Sequence, residues 1–323
     1  MSKKYDCVGL GELLIDWVQV GESDQGNPLY ECNPGGAPCN LLAMMKKAGK
    51  NVAFIGKVGN DMFGRMLKKR TEEQNIDMSG LELDKRVHTT LAFVEKLPNG
   101  DRDFSFYRKP GADIMLTKED IQSHKSLIQN TKIFHFGTLS FTDQPAEDAT
   151  IEALKIAKDS GCTISFDPNY RPPLWSSEKK AKEWMEYGLK FADILKISDN
   201  EITFLTGETD LDKGVHQIID KYHTKLVFAT YGPDGARGYY GGKDVFVKAY
   251  ENPNTIETTG AGDCFFGAAL SKVLEYGLDN LDMDKIEDTL KFAQAAASLV
   301  TTKKGALCVM PDRSEVEAEM KNH

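Results

Sequence analysis

The stretch ETTGAGDCFFGAAL, residues 257–270, is the part of this sequence around which the rest is organised. Gly260, Ala261 and Gly262 stand immediately before the acid Asp263, and apolar residues then recur at helical spacing. A glycine-rich turn that leads into a helix presents free N–H groups and the positive end of the helix dipole, which suits a phosphate. Taken alone, the pattern is explained better by an ordinary acidic N-cap. The remaining sequence must decide between the two interpretations.

The composition is that of a globular protein, with 41% hydrophobic and 28% charged residues among 323. A net charge of −9 argues against nucleic acid as a partner, because phosphate backbones require a basic surface. We find no signal-peptide pattern and no apolar run that approaches a membrane span, so we expect a cytoplasmic protein without a membrane partner. The six cysteines are scattered without a CxxC pair, which predicts neither a zinc site nor a redox motif.

Apolar strand-like runs alternate with helical patterns along most of the chain. The strands are predicted at residues 5–10, 52–55, 133–137, 163–167, 194–197 and 226–230. Repeated βαβ units of this kind predict a mostly parallel sheet that is covered by helices on both faces. We therefore expect a single α/β domain over residues 1–323.

Two regions break this alternation. Residues 15–20 and 29–32 flank a polar turn, and residues 89–96 and 102–107 flank the sequence LPNGD, which contains an Asn-Gly turn. Both regions predict hairpins, which seldom join a parallel sheet. We expect them to form a small separate sheet, a lid, from residues 12–34 and 87–110. The edge strands of this sheet would be open. We expect them to be covered either when the lid closes over bound substrate or by a second subunit in a homodimer.

The candidate site residues lie near predicted strand ends, where open α/β sheets bind ligands. GxxxxGK[ST], GxGxxG after the first strand, HExxH and GxSxG do not occur. Three motifs remain, GGAPCN (35–40), DPNYR (167–171) and TYGPDG (230–235), together with Asp16 in an otherwise apolar strand. A tight turn explains the first and third motifs about as well as a ligand site does, and a solvated strand face explains Asp16 as well.

In this order the motifs resemble those of the ribokinase-like (PfkB) carbohydrate kinase family. The resemblance spans nearly the whole chain and depends on GGAPCN (35–40), GKVGNDMFG (56–64) and TTGAGD (258–263). Within the family, FYRKPGADIML (106–116) and DPNYRPPLW (167–175) are most similar to fructokinases. The resemblance implies a three-layer α/β/α fold with a mostly parallel central sheet and a small β-sheet lid. It also implies ATP-dependent phosphorylation of a hexose primary hydroxyl, with D-fructose giving D-fructose 6-phosphate.

The resemblance also implies roles for individual residues. Asp263 is the general base, and the N–H groups of Gly260, Ala261 and Gly262 form the anion hole. The implied substrate-binding residues are Asp16, Gly35, Gly36, Asn40, Arg108, Asp167, Asn169 and Arg171. The implied ATP-binding residues are Thr230, Gly232, Gly235, Gln294 and Gly305. These roles agree with the physics of phosphoryl transfer, which requires alignment and charge neutralisation more than covalent catalysis.

Some positions depart from the family pattern. The metal-associated Asn-x-x-Glu appears as Ser198-Asp-Asn-Glu201. The resemblance implies that Glu201 would hold Mg²⁺ through water. Glu257 stands where aspartate is commoner, in a region that the resemblance associates with K⁺. Apolar Leu14 stands near the place where ribokinases carry a sugar-contacting asparagine, which argues against ribose.

Three alternatives stay open at this stage. A 2-keto-3-deoxygluconate kinase shares the Tyr-Arg pattern of the lid, and an arginine could meet that substrate's carboxylate. A nucleoside kinase is disfavoured because nothing marks a base-stacking sugar site. A non-catalytic binding or regulatory relative should have lost the base or the anion hole, yet both are intact here.

Overall fold

The computed structural model describes residues 3–96 and 102–322. The strands are β1 Tyr5–Leu10, β2 Leu14–Glu22, β3 Pro28–Gly35, β4 Val52–Gly59, β5 Asp77–Asp84, β6 Leu91–Lys96, β7 Arg102–Tyr107, β8 Thr131–Gly137, β9 Thr163–Asp167, β10 Ile194–Ser198, β11 Leu226–Thr230, β12 Ala236–Tyr240 and β13 Lys243–Val247. The α-helices are α1 Ala37–Lys47, α2 Met62–Glu73, α3 Lys118–Gln129, α4 Ala146–Asp159, α5 Glu178–Leu189, α6 Asp199–Thr206, α7 Leu211–Tyr222, α8 Ala261–Tyr276, α9 Met283–Val300 and α10 Arg313–Asn322.

A mostly parallel sheet forms the centre of the molecule. Within the described ranges it has nine strands in the order β13-β12-β11-β10-β9-β8-β1-β4-β5. The neighbours from β5 to β11 are parallel, and only the edge hairpin β12–β13 runs antiparallel to its neighbour. The predicted parallel sheet is therefore confirmed. The edge hairpin of β12 and β13 was not predicted from the sequence.

Helices cover both faces of this sheet, which confirms the three-layer α/β/α architecture. Helices α1, α2, α8, α9 and α10 pack on one face, and α3 to α7 pack on the other. Strand β4 packs against both helix layers, because Val52 and Phe54 face the first layer whereas Ala53 and Ile55 face the second. Burial on both faces explains why these strands read as continuous apolar runs. No helix in the described residues is long and apolar enough to cross a membrane.

A second, four-stranded sheet stands apart from the first, as the sequence predicted. Its order is β3-β2-β6-β7 over the described residues. Strands β2 and β3 pair antiparallel, β6 and β7 pair antiparallel, and β2 joins the two hairpins through parallel pairing with β6. The predicted Asn-Gly turn at residues 97–101 lies outside the described residues. Trp17, Phe93 and Tyr107 form an aromatic row across the sheet, and Tyr107 is 66% exposed.

Close packing of α1 against α8 brings the two predicted ligand motifs together. The contact is made at Gly267, where an added Cβ would lie 2.5 Å from the carbonyl oxygen of Leu41 and 3.0 Å from Cβ of Met44. Real Cβ atoms do not approach a neighbour so closely, so a side chain here would force the helices apart. Asn40 at the start of α1 and Asp263 at the start of α8 can meet because of this approach.

We predict that Gly267→Ala destabilises the protein, although the same change in a free helix stabilises it by about 1 kcal/mol. Overpacking in a well-packed core typically costs ~1–3 kcal/mol, so the free energy of unfolding should fall. Urea unfolding measures it. Gly21→Ala is the matched control, since nothing lies within 4 Å of a Cβ added there. Equal or greater stability of Gly267→Ala would contradict the packing argument.

Candidate active site

A cleft of about 500 Å³ opens at the carboxyl ends of the central parallel strands, beside the small sheet. Eleven of the residues singled out from the sequence line it: Asp16, Gly36, Asn40, Asn169, Arg171, Glu201, Thr230, Gly232, Gly260, Gly262 and Asp263. Parallel strands place their carboxyl ends at one edge of a sheet, which is why motifs far apart in sequence converge here.

Asp263 lies in the first turn of α8 and is not used as a helix cap. The cap residue is Gly260, and no side chain of the described residues caps this helix. The Asp263 carboxylate instead accepts a hydrogen bond of 2.8 Å at Oδ2 from Nδ2 of Asn40. Burial raises the pKa of Asp263 to about 6, against the lowering effect of the Asn40 bond. A carboxylate with this pKa is largely ionised near neutral pH, and its pKa is close to the pH at which a general base works best.

The start of α8 has the geometry of an anion site, with one qualification. Gly260 adopts a positive φ of 75°, and a Cβ there would overlap the methyl group of Ala306. A Cβ on Gly262 would lie 3.3 Å from Nζ of Lys196, so an ammonium group flanks this turn. The N–H of Ala261 donates to the Thr258 carbonyl at 3.2 Å, so that predicted donor is already engaged within the turn.

Asp16 lines the cleft at the end that the small sheet contributes. It lies on β2 opposite Asn33 of β3, and a Cβ on the neighbouring Gly35 would overlap its Oδ2. Burial raises the pKa of Asp16 to about 7, with Arg171 lowering it and Asp263 raising it. Gly35 has no side chain and therefore leaves room for the Asp16 carboxylate. Gly35 itself does not line the cleft.

Glu12 is a second acid at this end, and the sequence reasoning missed it. Its Oε1 accepts a 2.9 Å hydrogen bond from the N–H of Ala37 at the start of α1, and the side chain lines the cleft. Burial raises the pKa of Glu12 to about 7, because two backbone N–H bonds do not compensate for lost solvation. The sequence does contain a signal for this residue, because Glu12 is an acid that follows shortly after a buried strand.

Lys196 is the other missed residue. It is buried on β10 and its Nζ donates to Oδ2 of Asp167 on β9 at 2.9 Å. Burial opposes the ammonium charge, but Asp167 and Glu201 outweigh it and raise the pKa of Lys196. A lysine inside the apolar run 194–197 was a signal of the same kind as Asp16. Asp167 therefore reaches the site through this ion pair.

Arg108 is placed differently from its predicted role at the substrate. The side chain is buried, and the guanidinium donates to Asp113 at 2.7 Å, to Thr142 at 2.8 Å and to the carbonyl of Leu139 at 2.8 Å. All three nitrogens thus have protein partners at the base of the small sheet. Arg108 does not line the cleft.

Three of the five predicted ATP-binding residues, Gly235, Gln294 and Gly305, do not line the cleft. Gln294 is buried on α9, and a Cβ on Gly235 would overlap the Val247 carbonyl. The N–H of Gly305 donates to Oε2 of Glu257 at 3.1 Å. Thr230 and Gly232 line the cleft itself.

Glu201 lines the cleft with both carboxylate oxygens accepting backbone hydrogen bonds. Oε1 accepts from Tyr170 and Oε2 from Ser198, each at 2.8 Å, and Ser198 caps α6. These bonds fix the carboxylate and leave lone pairs for a water shell. Over residues 3–96 and 102–322, no three His, Cys, Asp or Glu side chains form a direct metal site.

This chain belongs to the pfkB family of carbohydrate kinases, whose family model matches residues 4–313. It is 37% identical over 310 residues to fructokinase-2 of Solanum habrochaites, and the alignment covers 95% of this chain and 94% of the relative. Among solved structures it is similar to ATP-bound fructokinase of Xylella fastidiosa, with a TM-score of 0.89, 29% identity and coverage of 98% and 99% of the two chains. Fructokinase of Vibrio cholerae, with fructose, ADP and calcium bound, gives a TM-score of 0.87, 30% identity and coverage of 98% and 99%.

We predict that Glu12→Gln stabilises the protein at pH 8 but not at pH 4.5. The pKa of Glu12 rises from an ordinary 4.5 to about 7 on folding, so in this window the folded chain holds a proton that the unfolded chain releases. The free energy of unfolding of the wild type therefore falls as pH rises through the window. Removing the ionisable group should restore roughly 1–3 kcal/mol at pH 8.

Urea unfolding at the two pH values measures this difference. Glu22→Gln is the matched control, because Glu22 is exposed to solvent. A Glu12→Gln protein that is no more stable than the wild type at pH 8 would show that the buried carboxylate carries no such penalty.

Proposed function

We propose that this protein is an ATP-dependent fructose kinase that transfers the γ-phosphoryl group to the primary hydroxyl of D-fructose and releases D-fructose 6-phosphate and ADP. The observation that carries the proposal is the Asp263 carboxylate, which lines the cleft at the start of α8 and is held by Asn40 instead of capping the helix. A carboxylate in this position can accept a proton beside the place where a phosphoryl group would bind.

In the proposed reaction Asp263 takes the proton of the sugar hydroxyl as its oxygen attacks the γ-phosphorus. The new O–P bond forms while the bond from the γ-phosphorus to the bridging oxygen of ADP breaks, and the electron pair leaves with ADP. General-base assistance of this kind typically contributes ~10²–10⁴ in rate. The pKa of about 6 leaves Asp263 able to accept that proton at neutral pH.

Negative charge on the transferred group is met by the N-terminus of α8 and by Lys196. Gly260 and Gly262 line the cleft at that terminus, and the Lys196 ammonium lies beside Gly262. Bound Mg²⁺ would neutralise phosphate charge, and we assign its water shell to Glu201. We also propose K⁺ as a cofactor near Glu257 and Gly305, where the carboxylate already organises the loop.

A neutral sugar fits the charges of the cleft better than an acidic one. Glu12 and Asp16 are both at the sugar end, and only Arg171 of the arginines considered for this role lines the cleft. Arg108, the candidate partner for the carboxylate of 2-keto-3-deoxygluconate, donates instead to Asp113, Thr142 and Leu139. The similarity to fructokinases over almost the whole chain supports fructose in particular.

We further propose one kinase domain over residues 1–323, with residues 12–34 and 87–110 as a lid that excludes water during transfer. The outer positions of this lid carry Leu29 at 47% and Tyr107 at 66% exposure, so we propose that a second copy covers them in a homodimer. We place the enzyme in the cytoplasm, where its six unpaired cysteines stay reduced.

The proposed activity is tested by ADP release from purified protein with ATP, Mg²⁺ and a panel of D-fructose, D-ribose, 2-keto-3-deoxygluconate and adenosine. We expect fructose to give the largest stimulation and ³¹P NMR to locate the phosphate on C6. Stimulation only by 2-keto-3-deoxygluconate would refute fructose as the substrate. No stimulation by any sugar would refute the kinase.

Asp263→Asn should lower kcat by about 10²–10⁴-fold, because it removes the proton acceptor without changing the size of the side chain. ATP affinity, measured by calorimetry, should stay unchanged. Asp159→Asn, an exposed change on α4, is the control for a loss of charge alone. Normal turnover in Asp263→Asn would exclude Asp263 as the base.

Light scattering should give twice the mass of one chain at working concentration. Leu29→Glu combined with Tyr107→Glu should halve that mass, because charge on the exposed lid face opposes burial. Glutamate at two other exposed apolar residues, Phe246 on β13 and Ile256, is the control. A monomeric wild type would contradict the homodimer.

A further inference from the structure

Two of the six cysteines differ from the others in their exposure. Cys32 and Cys308 are only partly buried, whereas the remaining four are buried. The two residues lie far apart in the sequence, yet both line one cavity of about 260 Å³. Neither lines the cleft of the candidate active site. The fold therefore brings the two least buried thiols of the chain together at a place that the proposed reaction does not use.

The cavity lies between the small sheet, α2 and the segment that joins α9 to α10. Cys32 lies on β3 directly opposite Trp17 of β2, whose ring packs edge-on against Phe63 of α2. Directly opposite residues share one face of a sheet, so Cys32 is on the face turned toward α2. Cys308 approaches the cavity from the segment between α9 and α10, and Arg70 of α2 lines it as well.

The segment that carries Cys308 also contacts the start of α8. A Cβ on Gly260 would overlap the methyl group of Ala306, and a Cβ on Gly305 would lie 3.3 Å from Oδ1 of Asn33 on β3. The segment therefore touches the phosphate-binding turn on one side and the small sheet on the other. A restraint that ties the segment to β3 acts directly beside the cleft.

We propose that Cys32 and Cys308 are a redox-sensitive pair, which closes into a disulfide and ties the small sheet to the segment between α9 and α10. The bond would hold the two Cα atoms within about 7 Å of each other. It would thus prevent the small sheet from moving away from the segment that supports Gly260. The consequence for turnover rests on the proposed function, in which the small sheet is a lid, whereas the bond itself does not.

The oxidant in this proposal is a small disulfide, the chemical class of oxidised glutathione. The thiolate of Cys308 attacks one sulfur of this disulfide, breaks its S–S bond and releases one small thiolate. The thiolate of Cys32 then attacks Sγ of Cys308, forms the protein S–S bond and releases the second small thiolate. The two protons lost by the cysteines pass to the released thiolates. Two protein thiols are oxidised and one small disulfide is reduced.

The surroundings of the two thiols decide which of them reacts first. Burial raises the pKa of both, but at Cys308 the guanidinium of Arg70 opposes this rise, while Glu73 adds to it. The thiolate is the attacking species, so the thiol beside the guanidinium is the first nucleophile. Raised pKa values make the exchange slow at neutral pH. In a reducing cytoplasm the pair stays as two thiols, and the bond forms when small disulfides accumulate.

Peptide mass spectrometry tests the bond after the folded protein has been kept for hours with oxidised glutathione and its free thiols have been trapped with a maleimide. The wild type should yield one linked peptide pair, which contains Cys32 and Cys308. Cys32→Ser and Cys308→Ser should yield none. Cys162→Ala is the control, because it removes a buried cysteine that packs in the other helix layer, and it should still form the bond.

Six free thiols in the wild type after this treatment would overturn the proposal. A bond between any other two cysteines would overturn it too, as would glutathione that stays attached to Cys308 while Cys32 is present. The mapping needs no turnover. It therefore decides whether the pair forms even if the sugar panel refutes the proposed kinase activity.

Hydrogen exchange tests whether the bond restrains the small sheet. Backbone amides of β3 and of residues 304–309 should exchange more slowly in the oxidised wild type than in the reduced protein, with no such change in Cys308→Ser. Oxidation should also lower kcat/KM for fructose about fivefold or more, and dithiothreitol should restore it. Unchanged exchange would contradict the restraint, and so would a loss of activity that Cys308→Ser shares.

Discussion

The hydrogen bond between Asn40 and Asp263 is the contact on which the rest of the site depends. It joins the first turn of α1, which continues from the small sheet, to the first turn of α8, which begins over the central sheet. Both helices start at a glycine with positive φ, Gly36 at 128° and Gly260 at 75°. No other residue adopts these conformations so readily, and a Cβ at either glycine would meet protein atoms.

A site built around this contact is electrostatically unfavourable to the folded state. Glu12, Asp16 and Asp263 are all desolvated carboxyls with raised pKa values, and Lys196 and Arg171 only partly balance them. A large core buried on both faces of a nine-stranded sheet, counted over the described residues, can support this local loss of stability. Shifted carboxyl pKa values in a cleft are typical of sites that move protons.

Local signals in the sequence predicted much of this arrangement. The alternation of apolar runs predicted the parallel sheet, and the turn chemistry at residues 35–40 and 258–263 predicted both helix starts. The Lys196–Asp167 pair was missed because it is a tertiary contact. It exists only because β9 and β10 lie side by side, with Leu195 opposite Phe166.

The position of Arg108 could not be predicted for a related reason. Its partner Asp113 is only five residues away, but the loop that turns the guanidinium inward also needs Thr142 and the Leu139 carbonyl. A pattern of residue types indicates that an arginine is near a site. It does not indicate which acceptors will compete for its donors.

The most direct measurement of the central claim is a crystal structure of the protein with fructose, ADP, Mg²⁺ and aluminium fluoride, which mimics the transferred phosphoryl group. The proposed mechanism predicts the 6-hydroxyl of fructose within roughly 3 Å of the Asp263 carboxylate, with the fluoride facing the N-terminus of α8. A fructose whose 6-hydroxyl lies away from Asp263, or a fluoride bound elsewhere in the cleft, would contradict it.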